Sequence, residues 1–530
     1  MAEKLLFIDL AEKDLKEYVS SLFRDIISSL LADNQDIKAA DFCTKKDVFS
    51  VILEAMNGDL SSVTNPLLMQ HFIERLYDYW RNYKRYVIIR KDKTLLNEDN
   101  FLEVFDHFNK FIISSYRKVS QTLQGKNFNV YRQLPAGANA GLLIDNKNGI
   151  NPKLDDIGFV SKVAFLTPFV AYSENNKRSG IFPIVDFNPL DKLEIASKEE
   201  WKCVPILVGK SHIFVYFKER FISLAVALAN LFEFDDEFKT VKPDGIILFG
   251  YNGEDGIYKD KDMIVAGLKE RDEIDYFGYL KKIILTVHNL RMIDSLKLPI
   301  HGAGVSILLK NNERKNVVLV GDSGAGKSET LEALRKIASD YIYDIETIYD
   351  DMGTLEIIDG KIYTYGTEIG AFVRTDDLAN DYVYKVFDRA IFLNPNGKNA
   401  RLVLPVSNYQ TITKPYEVNY ILYANNYEHK EKKVSMIDTK EKAIDIFSSG
   451  KRVALGTTNE NGLVETFFAN PFGPVQKEQE TKLLLDEYFD LMYKTDVFVG
   501  SLYTGLSLNN ATENVIEAAS ELLKLLKNER

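Results

Sequence analysis

The first quarter of the chain carries apolar residues at the three- and four-residue steps that define amphipathic helices. Apolar stripes of this kind run through Leu15–Leu30, Phe72–Trp80 and Phe101–Phe111. At helical spacing, aromatic stripes are more typical of core-facing surfaces than of binding grooves. The pattern therefore predicts a helical region over residues 1–125, with Asp14 as a cap before the first helix.

From about residue 126, short β-rich runs separated by Gly, Pro and Asn replace the helical pattern. Representative runs are Phe159–Phe169, Ile206–Phe217, Gly245–Gly250, Val418–Tyr423 and Lys451–Gly456. Helical patterns recur at Arg220–Phe234, Tyr276–His288 and Val515–Leu526. This mixture predicts an α/β fold. We expect two domains, 1–298 and 299–530, the first combining the helical region with an α/β domain.

Residues 316–333 read NVVLVGDSGAGKSETLEA, an apolar run followed by a Gly-rich loop and then by helix formers. Glycines let several backbone N–H groups point at one anion, and the helix N-terminus adds partial positive charge. Lys327 is expected to reach the outer phosphates of a nucleotide, and the Ser328 hydroxyl to bind its Mg²⁺. The predicted nucleotide-binding residues are Gly321, Asp322, Ser323, Gly324, Ala325, Gly326, Lys327 and Ser328.

Carboxylates follow the next predicted strand of this domain. Asp350 and Asp351 stand where a phosphate-loop domain carries a metal-holding carboxylate, and Asp344 is an alternative. Upstream lie a lysine pair, Lys281 and Lys282, and then His301. Taken singly, a lysine pair is usually a solvated helix face and a lone histidine is usually structural.

Composition narrows the class of protein. A chain of 530 residues exceeds what a single core supports, and its net charge of −11 argues against nucleic-acid binding. The two cysteines, Cys43 and Cys203, form no CxxC motif, which favours a reducing compartment. No apolar run is long enough to span a membrane. We expect a cytoplasmic protein, a monomer or small homo-oligomer, acting on small molecules.

Taken together, these segments resemble phosphoenolpyruvate carboxykinase of the ATP type over most of residues 276–505. The family's Tyr-Gly-Gly-x-x-Lys-Lys segment is similar to Tyr276–Lys282, and His301 follows Lys282 at the family's distance, 301 − 282 = 19 residues. Other segments that look like family landmarks are Glu368–Thr375, Asn399–Pro405, 456–457, Phe467–Gly473 and Tyr503–Gly505.

The resemblance implies a carboxykinase-like fold with a phosphate-loop C-terminal domain. It implies conversion of oxaloacetate and ATP to phosphoenolpyruvate, CO₂ and ADP, with Mn²⁺ and Mg²⁺ as cofactors; GTP stays open as the donor. The implied Mn²⁺ ligands are Lys282, His301 and Asp351, and Ser328 would bind the Mg²⁺ of the nucleotide. Asp350 stays a candidate metal ligand because of its position after the strand. The other implied roles are catalysis by Ser323, Lys327 and Arg401, substrate contacts by Arg132, Tyr276 and Arg401, and a nucleotide contact by Arg374.

Some positions depart from the family pattern. Asp322 and Glu329 add negative charge to the loop, and Asn459 stands where the family has an arginine that contacts nucleotide phosphate. The loop GDSGAGKSE also resembles that of HPr kinase/phosphorylase, whose substrate is a protein serine. A kinase acting on a protein serine or another hydroxyl, and a non-catalytic nucleotide-binding protein, are therefore the alternatives.

Overall fold

The computed structural model describes most of the chain. The described residues are 5–9, 15–33, 38–44, 47–82, 86–90, 103–124, 130–132, 140–165, 169–171, 182–338, 340–375, 389–394, 400–455 and 461–527. Two compact units result, one of Met1–Phe128 with Ala379–Phe387 and one of Asn129–Leu378 with Asp388–Arg530. The predicted boundary after residue 298 lies inside the second unit, within the strand that begins at Leu298.

The first unit is helical, as the apolar stripes predict. Its elements are α1 (Leu15–Asp33), α2 (Ala39–Phe42), α3 (Val48–Met56), α4 (Pro66–Asn82) and α5 (Glu103–Gln124), with a parallel strand pair, β1 (Leu5–Asp9) and β2 (Tyr86–Arg90). Phe23 packs edge-on against Phe49 and Phe111, at ring-centroid distances of 5.6 and 5.2 Å. These aromatic side chains belong to a core, which confirms that reading of the stripes. The proposed cap Asp14 lies outside the described residues.

The second unit begins with a mixed sheet. Its first strands and helix are β3 (Val130–Arg132), β4 (Ala140–Asn146), β5 (Gly158–Phe165), β6 (Phe169–Ala171), β7 (Trp201–Val208), β8 (Ser211–Lys218), α6 (Ile222–Ala227), β9 (Glu233–Phe234), β10 (Gly245–Tyr251), β11 (Gly256–Asp260) and β12 (Met263–Lys269). The sheet order is β11-β12-β10-β8-β7-β5-β3, with β4 on β5 and β9 on β7.

Two predictions in this region need correction. The single run expected at Ile206–Phe217 is two antiparallel strands, which turn at Gly209 with φ of 54°. The helix expected over Arg220–Phe234 is only the short α6 between 3₁₀ turns, and it ends before β9. In both places the apolar run is a buried segment, where periodicity does not reveal a turn.

A long helix, α7 (Phe277–Asp294), leads into the remaining elements. They are β13 (Leu298–Leu309), β14 (Arg314–Val320), α8 (Lys327–Ile337), β15 (Ile342–Tyr349), β16 (Met352–Ile358), β17 (Lys361–Gly366), β18 (Gly370–Arg374), β19 (Ile391–Leu393), β20 (Arg401–Pro405), α9 (Tyr409–Thr413), β21 (Tyr416–Glu417), β22 (Tyr420–Asn425), β23 (Val434–Met436), α10 (Lys440–Ser449), β24 (Lys451–Leu455), β25 (Asn461–Glu465), α11 (Glu478–Lys494), β26 (Phe498–Tyr503) and α12 (Ala511–Leu526).

A second large sheet has the order β21-β17-β16-β13-β14-β22-β26-β23, with β15 also on β13. Alternate residues of β14 serve two cores. Val317 and Leu319 pack with the cluster that includes α8 and α12, whereas Val318 and Val320 pack with that of α10 and α11. Helices therefore cover both faces of this sheet. A smaller sheet has the order β18-β20-β19-β6, and β24 forms a hairpin with β25.

The structure is thus a mixed α/β protein with a helical N-terminal region and several mixed sheets, which agrees with the α/β fold that the sequence predicts. No helix in the described part of the chain combines the length and apolar character needed to cross a lipid bilayer.

Two leucines of α11 offer a matched test of this packing. Leu485 is fully buried between α11 and the second sheet, whereas Leu483 is 73% exposed. Leu485→Ala should lower the free energy of unfolding by about 2–5 kcal/mol, because it leaves a cavity in a close-packed core. Leu483→Ala should change it by less than about 0.5 kcal/mol. Urea unfolding followed by circular dichroism measures both; equal effects would contradict the packing.

Candidate functional site

The candidate site forms around one residue of β13, because this strand has different neighbours on its two sides. On one side β13 pairs with β16 as far as His301, opposite Met352, and pairs with β15 only from Gly304, opposite Tyr349. The connection Asp350–Asp351 lies at that change of partner. On its other side, the carbonyl oxygen of His301 accepts a hydrogen bond from the Gly321 N–H, where the Gly-rich loop begins. Sheet topology thus brings three sequence motifs together.

The Gly-rich loop follows β14 and precedes α8, as the sequence predicts. Gly324 and Gly326 adopt left-handed φ values of 79° and 91°, which favour glycine. A Cβ added at Gly326 would lie 2.5 Å from the Thr504 hydroxyl, which itself donates to the Ala325 carbonyl at 2.7 Å. The loop is therefore shaped by its glycines and held from outside by the end of β26.

Lys327 is buried at the start of α8. Its ammonium donates to the carbonyl oxygens of Gly321 and Asp322, at 2.8 and 3.0 Å. The neighbouring Ser328 is exposed, and its hydroxyl donates to Asp350 Oδ1 at 2.8 Å. Burial raises the pKa of Asp350, although the Ser328 hydrogen bond opposes this. A hydroxyl and a carboxylate oxygen in contact beside such a loop are the oxygen donors that Mg²⁺ prefers.

Asp351, unlike Asp350, contacts His301 and Lys281 instead of the Gly-rich loop. Its Oδ1 lies 2.9 Å from His301 Nε2, and its Oδ2 accepts from Lys281 Nζ at 2.5 Å. Lys281 also lies 2.9 Å from Glu368 Oε1. The lysine that contacts Asp351 is thus Lys281, whereas the expected Lys282 places its ammonium 5.6 Å from the centre of the Phe182 ring.

The electrostatics of this cluster follow from burial and pairing. Burial opposes ionisation of Asp351, but Lys281 and His301 outweigh it and hold the pKa of Asp351 well below its usual range. Burial opposes the charge of Lys281, but the carboxyl groups of Asp351 and Glu368 outweigh it and raise the pKa of Lys281. Burial raises the pKa of Glu368 to about 7, since Lys281 offsets only part of the desolvation. Lys281 is therefore a charged ammonium that two carboxyl groups share.

His301 is oriented by a main-chain contact. Its Nδ1 lies 2.8 Å from the carbonyl oxygen of Ala469, which can only accept, so Nδ1 carries the hydrogen. Nε2 then faces the Asp351 carboxylate at 2.9 Å. Phe468 and Ala469 both have positive φ, 54° and 50°, which is a strained conformation for residues with a side chain.

A second pair of contacts joins this cluster to the Gly-rich loop. Asp322 Oδ1 lies 3.5 Å from His301 Nδ1, and Asp322 Oδ2 accepts from Arg452 Nε at 2.6 Å. Arg452 belongs to β24 and is only 3% exposed. The contacts therefore run continuously from Arg452 through Asp322, His301, Asp351 and Lys281 to Glu368.

Three further predicted residues gather around Phe372. The Tyr276 ring lies edge-on to it at 6.3 Å, and the Arg401 guanidinium lies 5.5 Å from its centre. Arg374, two residues along β18, is directly opposite Arg401 in the β18–β20 ladder. Two guanidinium groups in opposite positions repel each other unless anionic groups lie close by.

The structure thus brings His301, Asp350, Asp351 and the Gly-rich loop together, and places Arg374 beside Arg401. It does not bring Lys282 to Asp351. The side chain of Arg132 and residues 456–459, including Asn459, lie outside the described residues. Sequence reasoning missed Lys281 as the contacting lysine, and it missed Glu368, Arg452 and Ala469. The only signal for Lys281 was its place in the lysine pair.

The residues fit the two expected metals unequally. Ser328 and Asp350 fit Mg²⁺. For Mn²⁺, His301 and Asp351 supply a nitrogen and an oxygen, whereas Lys281 is a charged ammonium and adds no third ligand. Within the described ranges, no group of three or more His, Cys, Asp or Glu side chains is arranged to hold a metal ion.

The chain matches none of the protein-family models and none of the curated proteins with which it was compared. Any functional assignment therefore depends on the motifs and on the geometry of this site.

The raised pKa of Glu368 has a measurable consequence for stability. The folded state binds the Glu368 proton more tightly than the unfolded state, where the pKa is 4.5. As pH rises from 4.5 to about 7, wild type should lose up to about 3 kcal/mol relative to Glu368→Gln. The contribution of Asp351 has the opposite sign and is lost only below the usual range of a carboxyl group. Urea unfolding at several pH values gives the difference, and a pH-independent difference would contradict a buried, proton-binding Glu368.

Proposed function

We propose that this protein is a metal-dependent phosphoryl-transfer enzyme of the carboxykinase type. It would decarboxylate oxaloacetate and transfer the γ-phosphoryl group of ATP to the resulting enolate, giving phosphoenolpyruvate, CO₂ and ADP. The ordered motifs from Tyr276 to Tyr503 suggest this reaction, and the arrangement of the site is compatible with it.

One observation carries the proposal. Two consecutive carboxylates face two different groups: Asp350 meets Ser328 of the Gly-rich loop, and Asp351 meets His301 and Lys281. A nucleotide held by the loop and an acceptor held at His301 and Asp351 would therefore be neighbours. Phosphoryl transfer depends chiefly on such positioning of donor and acceptor, together with neutralisation of charge.

The chemistry assigns a role to each group. The carbon–carbon bond to the departing carboxylate breaks, and its electron pair becomes the enolate, whose oxygen then attacks the γ-phosphorus as the bond to ADP breaks. Divalent cations, Mg²⁺ at Ser328 and Asp350 and Mn²⁺ at His301 and Asp351, would supply charge stabilisation for the phosphoryl group and the enolate oxygen. Lys327 neutralises the outer phosphates, and Arg374 and Arg401 provide the guanidinium pair for a carboxylate or phosphate oxygen. Lys281 keeps Asp351 ionised and facing His301.

The test is an assay for phosphoenolpyruvate from oxaloacetate with ATP or GTP, in the presence of Mn²⁺ and Mg²⁺. We expect turnover that Lys327→Ala reduces by at least about a thousandfold, because a charged group that stabilises the transferring phosphoryl is lost. Lys432→Ala, which removes an exposed lysine of the same unit, is the control. If neither nucleotide gives phosphoenolpyruvate, the carboxykinase proposal is wrong.

A second variant probes the other half of the site. His301→Ala removes the nitrogen that faces Asp351, so the Mn²⁺ concentration for half-maximal rate should rise about tenfold or more. The affinity for ATP, measured by calorimetry, should change much less, because His301 meets the loop only through its carbonyl and Asp322. His429→Ala, an exposed histidine, is the matched control. An unchanged Mn²⁺ dependence in His301→Ala would remove His301 from the proposed ligands.

A kinase acting on a protein serine or another hydroxyl is the second candidate. The raised pKa of Asp350 favours it, since a more basic carboxylate near the loop suits removal of a hydroxyl proton. Asp351 is a poor base because its pKa is well below the usual range. Phosphorylation of a serine-containing protein, without any turnover of oxaloacetate, would support this candidate over the first.

A further inference from the structure

Asp322 is an unusual residue for an anion-binding loop, because it brings a negative charge where phosphate is expected. Its carboxylate accepts from the Ser323 N–H and from Arg452 Nε, each at 2.6 Å. Its carbonyl oxygen accepts from the Ala325 N–H at 3.1 Å and from Lys327 Nζ at 3.0 Å. Backbone N–H groups, a lysine and an arginine are the donors that bind a phosphate group. Here all of them converge on one residue of the loop itself.

The position of Arg452 is fixed by a neighbouring asparagine. Asn426 Nδ2 donates to the carbonyl oxygens of Gly324 and Val453, both at 2.9 Å, and Asn426 Oδ1 accepts from the Val453 N–H at 2.9 Å. Asn426 thus ties the Gly-rich loop to the strand residue that follows Arg452. The main chain next to Arg452 is therefore held beside the loop independently of the contact between the guanidinium and Asp322.

We propose that Arg452 contacts the terminal phosphate of a bound nucleoside triphosphate, and that Asp322 holds this arginine by occupying the place of that phosphate group. Binding of the triphosphate would exchange one anionic partner of Arg452, the Asp322 carboxylate, for another, the terminal phosphate. Binding of a diphosphate provides no such exchange. Arg452 would therefore distinguish triphosphate from diphosphate. The inference rests on the nucleotide binding in the proposed function, but not on the identity of the phosphoryl acceptor.

The competing explanation is that Asp322 and Arg452 form a permanent structural ion pair. The two explanations predict opposite changes of ATP affinity in Asp322→Asn. If Asp322 competes with phosphate, Asp322→Asn should tighten ATP binding, because Arg452 and the Ser323 N–H lose an anionic competitor. If the pair only holds the loop in shape, Asp322→Asn should weaken ATP and ADP binding alike. Asparagine retains the size of the side chain and can still accept from the Ser323 N–H.

The experiment measures the Kd of ATP and of ADP, each with Mg²⁺, by calorimetry on the full-length protein. For Arg452→Gln we expect ATP binding weakened by at least about tenfold, with ADP changed less than about twofold, because a charge-assisted contact with phosphate is lost. For Asp322→Asn we expect ATP binding tightened about fivefold or more, with ADP little changed. Lys451→Gln, which removes the adjacent cation of β24, should leave the ratio of the two constants unchanged.

Arg452→Lys covers the case in which Arg452→Gln fails to fold. It keeps the positive charge but not the bidentate fork, and it should weaken ATP binding selectively by a smaller factor. Parallel changes for ATP and ADP in these variants, or weaker ATP binding in Asp322→Asn, would overturn the inference and leave the proposed function in place. If wild type bound neither nucleotide, both would be overturned. Nucleotide binding without turnover of oxaloacetate would overturn the carboxykinase proposal alone.

Discussion

Buried charge is the constraint on which the rest of the structure depends. Arg452, Asp322, His301, Lys281 and Glu368 are each less than one-tenth exposed, and Asp351 links His301 to Lys281. A charge removed from water is costly unless a partner lies within hydrogen-bond distance, and loss of either partner strands the other. Since these residues come from α7, β13, the loop after β14, the β15–β16 connection, the segment after β17, and β24, the pairing fixes how those elements meet.

The site lies at β13 because this strand changes its pairing partner there. The strand pairs with β14 along one edge and changes partner from β16 to β15 along the other. A change of partner opens a short interval in the ladder, and the Asp350–Asp351 connection fills it. Consecutive residues of a connection can face different neighbours, which is how one turn serves both the Gly-rich loop and the His301 cluster.

Local signals in the sequence predicted local features well. The helices of the first unit, the strand before the Gly-rich loop and the positions of Asp350 and Asp351 follow from periodicity and from motif order, which depend on near neighbours. Lys281 could not be distinguished from Lys282, because α7 is buried on nearly all sides and its periodicity is therefore weak. Arg452 lies 452 − 322 = 130 residues from its partner Asp322, and Glu368 lies 368 − 281 = 87 residues from its partner Lys281. Such contacts exist only in the folded chain.

The partner of His301 at Nδ1 is a carbonyl group of the main chain rather than a side chain. The orientation of the imidazole is therefore encoded in the backbone path at Phe468 and Ala469, whose φ values are both positive. A glycine in place of Ala469 would keep the carbonyl acceptor of His301 in position, and it would relieve the strain of a positive φ. A β-branched residue, a proline, or a one-residue insertion there would move the carbonyl and rotate the ring, although no residue with acid–base chemistry had been altered.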